Sequence, residues 1–421
     1  MSGPKPDTVS GSGSDIDSGF GALNGLKVID LTQMLAGPFC TMLLADQGAE
    51  VIKVEPLDGD MTRFSGPFHA DDQDQFFGGY FQSINRNKKS IAIDLKSAEG
   101  KEIFRRLIAD ADIVMENFRL GTMDRLGLSY EALAEINPRL VYGAIRGFGD
   151  SRTGESPYAD WPAFDVVAQA MGGVMGITGP DANSPLKVGP GVGDTVPAMF
   201  MAFALVSAVR EAERSGKGQF VDVGMYDGIL ALCERIFHQS SYSGEVPVPE
   251  GNAHPLLCPF GMFPAKDGWV SIACPRDKFW EILSEIAGHP EWAHDPRYET
   301  NVERTKRNAE VIAMVSVWTE RHTKAELSQV LGGKIPFGPV QTVSDILDDP
   351  HVEARNLLAQ VEHPGLDEKM TIANTPIHMS RTQGGVHRRA PKLGEDPDAI
   401  LQDAGYSGEE INNLREAARI S

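Results

Sequence analysis

Short apolar runs alternate with longer amphipathic runs through the first 150 residues of the chain. The short runs are rich in Val and Ile and are bounded by turn residues, which predicts buried strands. The longer runs carry apolar residues at helical spacing, which predicts helices. The predicted strands are residues 27–31, 49–55, 113–115 and 140–145, and the predicted helices are residues 37–47, 98–110 and 130–136. Strands that alternate with helices predict an α/β fold with an open parallel sheet of the doubly wound type.

The pattern changes further along the chain. A helical run over 196–210 follows a glycine-rich segment, and two more helical runs, 278–287 and 311–320, lie among turn residues. Long periodic elements are few after residue 334. We therefore predict a disordered tail over 1–21, a large α/β domain over 22–228, a linker helix over 229–246, a small α+β domain over 247–333, and a segment over 334–421 that returns to the large domain.

Composition narrows the function classes. The chain has 421 residues, of which 41% are hydrophobic, so it can bury a large core. Its net charge of −20 argues against non-specific binding to nucleic acid or to acidic membrane surfaces. The four cysteines are scattered without a CxxC pair, and the N-terminal segment lacks the apolar region of a signal peptide. These features predict a cytoplasmic protein without a disulfide framework and without a transmembrane helix.

Several common catalytic and cofactor motifs are absent. The turn after the first predicted strand lacks both GxGxxG and GxxxxGK[ST], which argues against an ordinary nicotinamide or P-loop site. GxSxG is absent, which disfavours a Ser-His-Asp hydrolase. None of the ten histidines shows a metal-ligand spacing such as HExxH. We therefore expect neither a metal nor a tightly bound cofactor.

Asp194 is the most informative candidate residue. It ends the glycine-rich segment 187–194, just before a predicted helix. The helix N-terminus is expected to keep this carboxylate ionised, and the glycines allow a ligand to approach the backbone. An ionised, accessible carboxylate can act as a nucleophile. The alternative interpretation is that Asp194 only caps the helix, and the same alternative applies to Asp165 at the start of its own predicted helix.

Cations are concentrated in the segment 85–90, Asn-Arg-Asn-Lys-Lys-Ser. Arg125 and Arg146 lie near the ends of predicted strands. Because open α/β sheets bind ligands at the carboxyl ends of their strands, such cations suit the phosphates of a ligand. The alternative for 85–90 is a solvated surface loop.

Taken together and in order, a set of short segments resembles the class III CoA-transferases, the family that includes formyl-CoA transferase and carnitine CoA-transferase. The resemblance runs from about Leu23 to the C-terminus. The matching segments are residues 25–32, 36–38, 48–55, 59–63, 85–91, 116–118, 126–127, 137–140, 191–194, 216–219 and 338–340. It implies a large Rossmann-like domain, a smaller domain, and two ring-shaped subunits that interlock as a homodimer.

The resemblance also implies a chemistry. Asp194 matches the family nucleophile, which attacks the donor acyl-CoA to give a mixed anhydride and then an aspartyl-CoA thioester. The partners are thus an acyl-CoA and a free carboxylic acid, with coenzyme A as co-substrate. The implied CoA contacts are Met34, Asn87, Lys88, Lys89, Ile93, Asn117, Arg125 and Arg146. Candidate contacts to the acceptor acid are Gln33, Arg63 and His254.

Departures from the formyl-CoA branch bear on the substrate. Leu35 stands where that branch has a glutamine, Pro56 where it has an arginine, and residues 251–255 lack its run of glycines. These differences argue against formate and oxalate. We therefore expect succinyl-CoA as donor and a dicarboxylic acid such as mesaconate, malate, citramalate, itaconate or glutarate as acceptor.

Two alternatives stay open on the same fold. The 2-methylacyl-CoA racemases place a histidine immediately before the residue that matches Asp165, whereas this chain has Phe164. Proton exchange at an α-carbon needs acid/base groups on both faces, so this difference disfavours a racemase. The second alternative is an acyl-CoA-binding protein without catalysis, which a buried, salt-bridged Asp194 would support.

Overall fold

The computed structural model describes residues 20–73 and 75–420, so the tail predicted over residues 1–21 lies almost wholly outside the described residues. The chain divides into two compact units. The first comprises the described parts of Met1–Ala168, Gly191–Gly228 and Asn356–Ser421. The second comprises Gln169–Pro190 and Ile229–Arg355. The large unit is thus assembled from three separate stretches of the chain.

Six parallel strands form the sheet of the first unit. They are β1 (Lys27–Asp30), β2 (Glu50–Glu55), β3 (Lys89–Ala92), β4 (Ile113–Glu116), β5 (Val141–Arg146) and β6 (Phe220–Gly224). Their order across the sheet is β3-β2-β1-β4-β5-β6, which is the doubly wound arrangement. Every residue of β1, β4 and β5 is buried, as expected when helices cover both faces of a parallel sheet. The predicted fold class is confirmed.

Eighteen α-helices are formed by the described residues. They are α1 (Ala36–Asp46), α2 (Gly79–Ile84), α3 (Ala98–Ile108), α4 (Thr122–Leu126), α5 (Tyr130–Ile136), α6 (Asp165–Met171), α7 (Val192–Ser215), α8 (Met225–Leu232), α9 (Glu234–Ser243), α10 (Asp277–Ile286), α11 (Glu291–His294), α12 (Asn301–Lys306), α13 (Asn308–Thr319), α14 (Lys324–Leu331), α15 (Val343–Leu347), α16 (Pro350–Ala354), α17 (Pro397–Asp403) and α18 (Gly408–Glu416). Each helix predicted from the apolar pattern is present. α3 and α5 begin where Ser97 and Ser129 accept a hydrogen bond from the backbone of the first turn.

α7 is the long helix that positions the candidate nucleophile. It packs against α1 and against β5 and β6. By length and composition it is the one helix among residues 20–73 and 75–420 that is apolar enough to cross a membrane. Its buried residues include Met201 and Leu205, which face the core of the first unit, whereas Phe203 is 75% exposed. Contact with the sheet makes α7 a core helix that leaves one apolar face uncovered.

The C-terminal stretch completes the core of the first unit. Ile400, Leu401 and Ile411, from α17 and α18, belong to the same buried cluster as the strands of the sheet. The backbone of Ile420 forms a bridge with Ile93 beyond β3. The strands β10 (Leu358–Val361) and β11 (Met370–Ala373) form an antiparallel hairpin in the same stretch. The last part of the chain therefore stabilises the sheet that carries the site.

The second unit has a core of its own. β7 (Phe260–Ala265), β8 (Gly268–Ala273) and β9 (Phe337–Pro339) form a three-stranded antiparallel sheet. Residues from α10, α13 and α14 pack with this sheet around the fully buried Trp280. An antiparallel sheet packed with helices is an α+β arrangement.

Candidate active site

Asp194 lies inside the first turn of α7. The backbone N–H groups of Asp194 and Thr195 donate to the carbonyl of Gly191 at 3.2 and 2.9 Å. Gly191 is the N-cap, and no side chain caps the helix. The interpretation of Asp194 as an N-capping residue is therefore wrong. Its half-buried carboxyl is therefore not used to cap the backbone of α7.

The carboxyl of Asp194 is difficult to ionise in this environment. Burial, and then the nearby charge of Asp165, raises the pKa of Asp194 from 3.8 to about 7. No cation of the described residues lowers this pKa. The expectation that the helix N-terminus keeps Asp194 fully ionised is therefore wrong, since at neutral pH both protonation states are populated. Because Asp194 forms no salt bridge with any of the residues that the structure describes, the interpretation as a non-catalytic acyl-CoA-binding protein gains no support from it.

Asp165 holds the glycine turn that precedes Asp194. Its Oδ1 accepts a hydrogen bond from the backbone N–H of Gly193 at 2.8 Å. A Cβ at Gly193 would lie 2.4 Å from the carbonyl oxygen of Asp165, and one at Gly191 would lie 3.1 Å from the side chain of Leu35. The glycine at 193 is therefore required by close packing, and Asp165 has a role beyond starting α6.

Tyr80 belongs to the same site, although no sequence motif indicated it. Burial, and then the charges of Asp194, Asp60 and Asp165, raises the pKa of Tyr80 to about 12. The phenol therefore stays protonated at neutral pH and remains a hydrogen-bond donor. Tyr80 lies in α2, far from Asp194 in sequence, so only the fold brings the two together.

Gln33 and Asn117 meet where the strand order reverses, between β1 and β4. The backbone N–H of Gln33 donates to Asn117 Oδ1 at 2.8 Å, and Asn117 Nδ2 donates to the carbonyl of Gln33 at 2.7 Å. This crevice is where open α/β sheets bind their ligands. Met34 follows with a φ of 65°, a sparsely populated conformation that clusters at functional sites. The structure thus brings three predicted site residues to one crevice.

The cation-rich segment 85–90 is directed into the protein. The pairs are Arg86 with Asp46, Asn87 with Asp46 and the carbonyl of Gly385, Lys88 with Asp30, and Lys89 with Glu50. Lys88 is fully buried, and burial lowers its pKa to about 8. The alternative of a solvated surface loop is therefore wrong. The side chains of Asn87, Lys88 and Lys89 already have protein partners.

Lys53 and Asp60 extend this buried charge network toward the crevice. Lys53 Nζ donates to Asp60 Oδ2 at 2.9 Å and to the carbonyl of Thr32 at 2.8 Å. Although burial opposes ionisation, the charge of Lys53 lowers the pKa of Asp60, and the charges of Lys88 and Lys53 lower the pKa of Asp30. Lys53 thereby holds the backbone of the turn that leads to the crevice.

Arg63 is a structural member of this network. Its guanidinium binds Glu55 through Nε at 2.8 Å and through the second terminal nitrogen at 2.7 Å, and it stacks 3.8 Å from the ring centre of Phe81. Arg63 is fully buried. The remaining terminal nitrogen donates to the carbonyl of Pro391 at 3.2 Å, so all three guanidinium nitrogens have protein partners and Arg63 is not available to a dicarboxylic acid in this structure.

Arg146 is also engaged within the protein. Its guanidinium binds Glu116 and, at 2.6 Å, Asp150, and it is only 7% exposed. Burial nevertheless raises the pKa of Glu116 to about 7. Glu116 immediately precedes Asn117, which lies at the crevice. Arg146 therefore helps to hold the end of β4 in place through its ion pair with Glu116.

Arg125 is exposed and lies in α4, after β4. Among the described residues, its guanidinium donates one side-chain hydrogen bond, to the hydroxyl of Thr122 at 3.0 Å. Lys96 and Arg119 are two further exposed cations that follow β3 and β4. In contrast, Ile93 is 1% exposed and packs in the core.

His254 lies in the second unit. Its ring is 5.0 Å from that of Phe260, and burial and the charge of Arg235 lower its pKa. Its Nδ1 accepts a hydrogen bond from the backbone of Leu256 at 3.1 Å. Within residues 20–73 and 75–420, no cluster of three or more His, Cys, Asp or Glu residues is arranged to hold a metal.

Known proteins are similar to this chain in sequence and in fold. The model of CoA-transferase family III matches residues 23–397. A succinyl-CoA:mesaconate CoA-transferase from Haloarcula marismortui is 47% identical over 385 residues, which cover 91% of this chain and 97% of that protein. A succinyl-CoA–D-citramalate CoA-transferase from Chloroflexus aurantiacus is 37% identical over 90% of this chain and 93% of that protein.

A solved structure agrees with these relatives. The crystal structure of a CAIB/BAIF family protein from Brucella suis has a TM-score of 0.81 and 36% identity, covering 91% of this chain and 100% of that chain. The chain therefore belongs to CoA-transferase family III and is a CoA-transferase.

Proposed function

We propose that this member of CoA-transferase family III transfers CoA from succinyl-CoA to a dicarboxylic acid, with mesaconate as the first acceptor to test. The acceptor choice rests on the 47% identity to a succinyl-CoA:mesaconate CoA-transferase. Relatives named for D-citramalate and glutarate make these acids the next candidates. The proposed enzyme is cytoplasmic, and coenzyme A is its co-substrate rather than a bound cofactor.

One observation carries the proposed mechanism. The carboxyl of Asp194 lies in the first turn of α7, beside Asp165 and Tyr80, and no cation of the described residues compensates it. The buried carboxylates of the network near the crevice, Asp30, Asp46 and Asp60, each have a cationic partner, whereas a carboxylate left uncompensated in a site is typical of a reacting group. Asp194 is the proposed nucleophile.

The first half-reaction leaves CoA on the enzyme. The ionised Asp194 oxygen bonds to the thioester carbonyl carbon of succinyl-CoA, and the C–S bond breaks to give a succinyl-aspartyl anhydride and CoA thiolate. The thiolate then bonds to Cγ of Asp194, and the anhydride C–O bond breaks. The products are an aspartyl-CoA thioester and free succinate.

The second half-reaction reverses these steps with the acceptor. The acceptor carboxylate bonds to Cγ of Asp194 and the thiolate leaves, which forms the acceptor anhydride. The thiolate then bonds to the acceptor's acyl carbon, and breaking of the C–O bond releases acceptor-CoA and regenerates Asp194. Each step exchanges one activated acyl group for another, so no ATP is required.

Tyr80 is the proposed stabiliser of charge. A phenol with a pKa of about 12 keeps its proton at neutral pH and can donate a hydrogen bond to an oxyanion. The N–H of Gly193 donates to Asp165 Oδ1, so it fixes the glycine turn before substrate binds and is not itself a donor to the substrate. A preorganised donor such as Tyr80 stabilises the tetrahedral intermediates more than it stabilises the substrates.

The proposed CoA site is the crevice between β1 and β4. Asn117 and the turn at Gln33–Met34 line it, and Arg125 is the proposed phosphate partner. A guanidinium on the surface can form paired hydrogen bonds to a phosphate, and Arg125 has no acidic partner among the described residues. His254 stays a candidate contact to the acceptor acid.

We also propose that two copies of the chain form the interlocked homodimer that the family resemblance implies. α7 exposes Met199, Phe200 and Phe203, and Phe203 is 75% exposed. An apolar patch of this kind marks a protein–protein interface more often than a free surface. A folded and active monomer after dilution would contradict the dimer.

Mass spectrometry tests the covalent intermediate. The protein is incubated with succinyl-CoA, treated with hydroxylamine or borohydride, and digested. We expect a hydroxamate, or the reduced alcohol, on the peptide that contains Asp194, and no such product without donor or in Asp194→Asn. Transfer without any product on this peptide would contradict the mechanism. Exchange of the α-hydrogen of a 2-methylacyl-CoA for deuterium would instead favour a racemase.

A further inference from the structure

A second cavity lies in the first unit at the carboxyl ends of β5 and β6. Its volume is about 390 Å³. The loop after β5, which includes Phe148 and Tyr158, forms one side, and the start of α8 with Tyr226 and Asp227 forms another. None of the residues assigned to CoA or to the reacting carboxyls lines it. Since ligands bind at this edge of such sheets, the cavity is placed where a ligand is expected.

Three carboxylates line the cavity, from Glu155, Asp222 and Asp227. Within residues 20–73 and 75–420, none of them forms an ion pair with a Lys, Arg or His, and the lining contains no cationic residue. Asp222 Oδ2 accepts hydrogen bonds from the backbone of Asp150 and from Thr153 Oγ1, both at 2.8 Å. Its Oδ1 is buried and has no hydrogen-bond partner among the described residues. The charge of Arg146, which lies outside the lining, acts on Asp222, so Glu155 and Asp227 are the carboxylates that a bound cation would mainly compensate.

Three aromatic rings, those of Phe148, Tyr158 and Tyr226, also line the cavity, together with small and polar residues. Phe148 lies 5.5 Å from Tyr158 and 6.1 Å from Tyr226, measured between ring centres. Outside the lining, Trp161 packs against Tyr158 at 4.7 Å. The faces of such rings attract organic cations, which shed water more easily than metal ions do. Backbone oxygens or bidentate carboxylates would instead be expected around a bound Ca²⁺.

We propose that this aromatic and acidic cavity binds a compact organic cation, such as a quaternary ammonium group. The carboxylates provide charge complementarity, and the rings exclude ligands that are strongly hydrated. The same lining repels the phosphates of CoA and the carboxylates of the acceptor, so the cavity is separate from the transfer site. The proposal does not rest on the proposed acceptor or mechanism.

Titration of the full-length protein with choline tests the proposal. Isothermal titration calorimetry is run at low salt with choline chloride and with 3,3-dimethylbutan-1-ol, the neutral molecule of the same shape. We expect choline to bind in the millimolar range or tighter, and the neutral analogue to bind at least about fivefold more weakly. Added NaCl should weaken choline binding.

Two variants locate the site. Asp227→Asn removes an exposed charge without altering the fold, and Tyr158→Ala removes an aromatic face; each should weaken choline binding about three- to fivefold. Matched controls are Asp58→Asn and Tyr242→Ala, which are exposed residues outside the cavity and should leave binding unchanged. No choline binding, equal binding of the neutral analogue, or binding that neither cavity variant weakens would each overturn the proposal.

Discussion

Two groups of carboxyls in the first unit are both largely buried, yet their pKa values are shifted in opposite directions. Beneath the ends of β1 and β2, the pKa of Asp30 and that of Asp60 lie below the ordinary value despite burial, because Lys88 and Lys53 are close. At the start of α7, burial and then the charge of Asp165 raise the pKa of Asp194 to about 7. Burial alone therefore does not identify a functional carboxyl.

The difference lies in whether nearby cations outweigh the burial of each carboxyl. Lys53 and Lys88 both act on Asp30, which is enough to outweigh its burial. Glu116 shares the single guanidinium of Arg146 with Asp150, and burial raises its pKa to about 7. No cation of the described residues lowers the pKa of Asp194. The proposed nucleophile thus lies where burial is not compensated, which is expected to cost stability.

Removal of the Asp194 carboxyl should have the largest effect on activity. Asp194→Ala deletes the proposed nucleophile, so transfer from succinyl-CoA should fall at least about a thousandfold. The fold should persist, because no hydrogen bond or cation of the described residues contributes to the pKa of this carboxyl, so none of these is lost. Steady-state transfer and circular dichroism measure the two outcomes. Activity above about a thousandth of the wild-type value would count against the nucleophilic role.

Breaking the compensated group should instead affect stability. Lys53→Met leaves the buried Asp60 without its cation, which should lower the free energy of unfolding by about 3–5 kcal/mol. Urea denaturation measures the change. The double variant Lys53→Met with Asp60→Asn removes both charges and should recover part of the loss. A loss below about 1 kcal/mol in the single variant would show that the network is not needed for folding.

The two groups should also respond to pH with opposite signs. The folded-state pKa of Asp194 is raised, so the stability that its carboxyl contributes is present below about pH 4 and is lost as the pH rises through about 7. Asp194→Asn should therefore be more stable than wild type at about pH 8, by about 2–4 kcal/mol. The pKa of Asp30 is lowered, so Asp30→Asn should be destabilised at neutral pH, and the deficit should shrink in acid. Denaturant titrations of both variants and of wild type, in acid and at about pH 8, measure these differences in unfolding free energy. If the two variants changed stability in the same direction at both pH values, the comparison would be refuted.

Much of the fold and part of the site were predictable from the sequence. Continuous apolar runs such as 140–145 predicted the parallel strands, because helices cover both faces of the sheet. Asp194 was recognisable from the glycines beside it. Its raised pKa was not, because that depends on burial and on Asp165, 29 positions earlier in the chain.

The cation-rich segment shows why other site residues were not predictable. A run of Arg and Lys looks the same in sequence whether it faces solvent, a phosphate or buried carboxylates. Only the fold brings Asp30 and Asp46 to Lys88 and Arg86. Tyr80 was missed for the same reason, since its proximity to Asp194 arises from tertiary structure alone.

The charge of Asp165 should set the pH dependence of the first half-reaction. Asp165→Asn removes a like charge, while its amide oxygen can still accept the hydrogen bond from Gly193. The pKa of Asp194 should fall toward its ordinary value, so the midpoint of kcat/KM for succinyl-CoA against pH should move down by about one unit. Stopped assays between about pH 5.5 and pH 9 measure it. An unchanged midpoint would mean that burial alone raises this pKa.

Arg125 and Lys88 extend the comparison from carboxyls to cations: one has no acidic partner among the described residues and the other is paired. Substitution of Arg125 has the smallest expected effect. It is exposed and has no acidic partner among the described residues, whereas Lys88 is fully buried and paired with Asp30. Arg125→Ala should raise KM for succinyl-CoA about three- to tenfold, since one exposed charge-assisted contact to a phosphate is lost, and it should leave acceptor preference and unfolding unchanged. Lys88→Met should have the opposite pattern of effects. It should lower the free energy of unfolding more than it changes KM, because it leaves Asp30 with one cation fewer. A change of acceptor preference in Arg125→Ala would move this arginine from the CoA side of the site to the acceptor side, and the proposed position of the CoA phosphates would have to be revised.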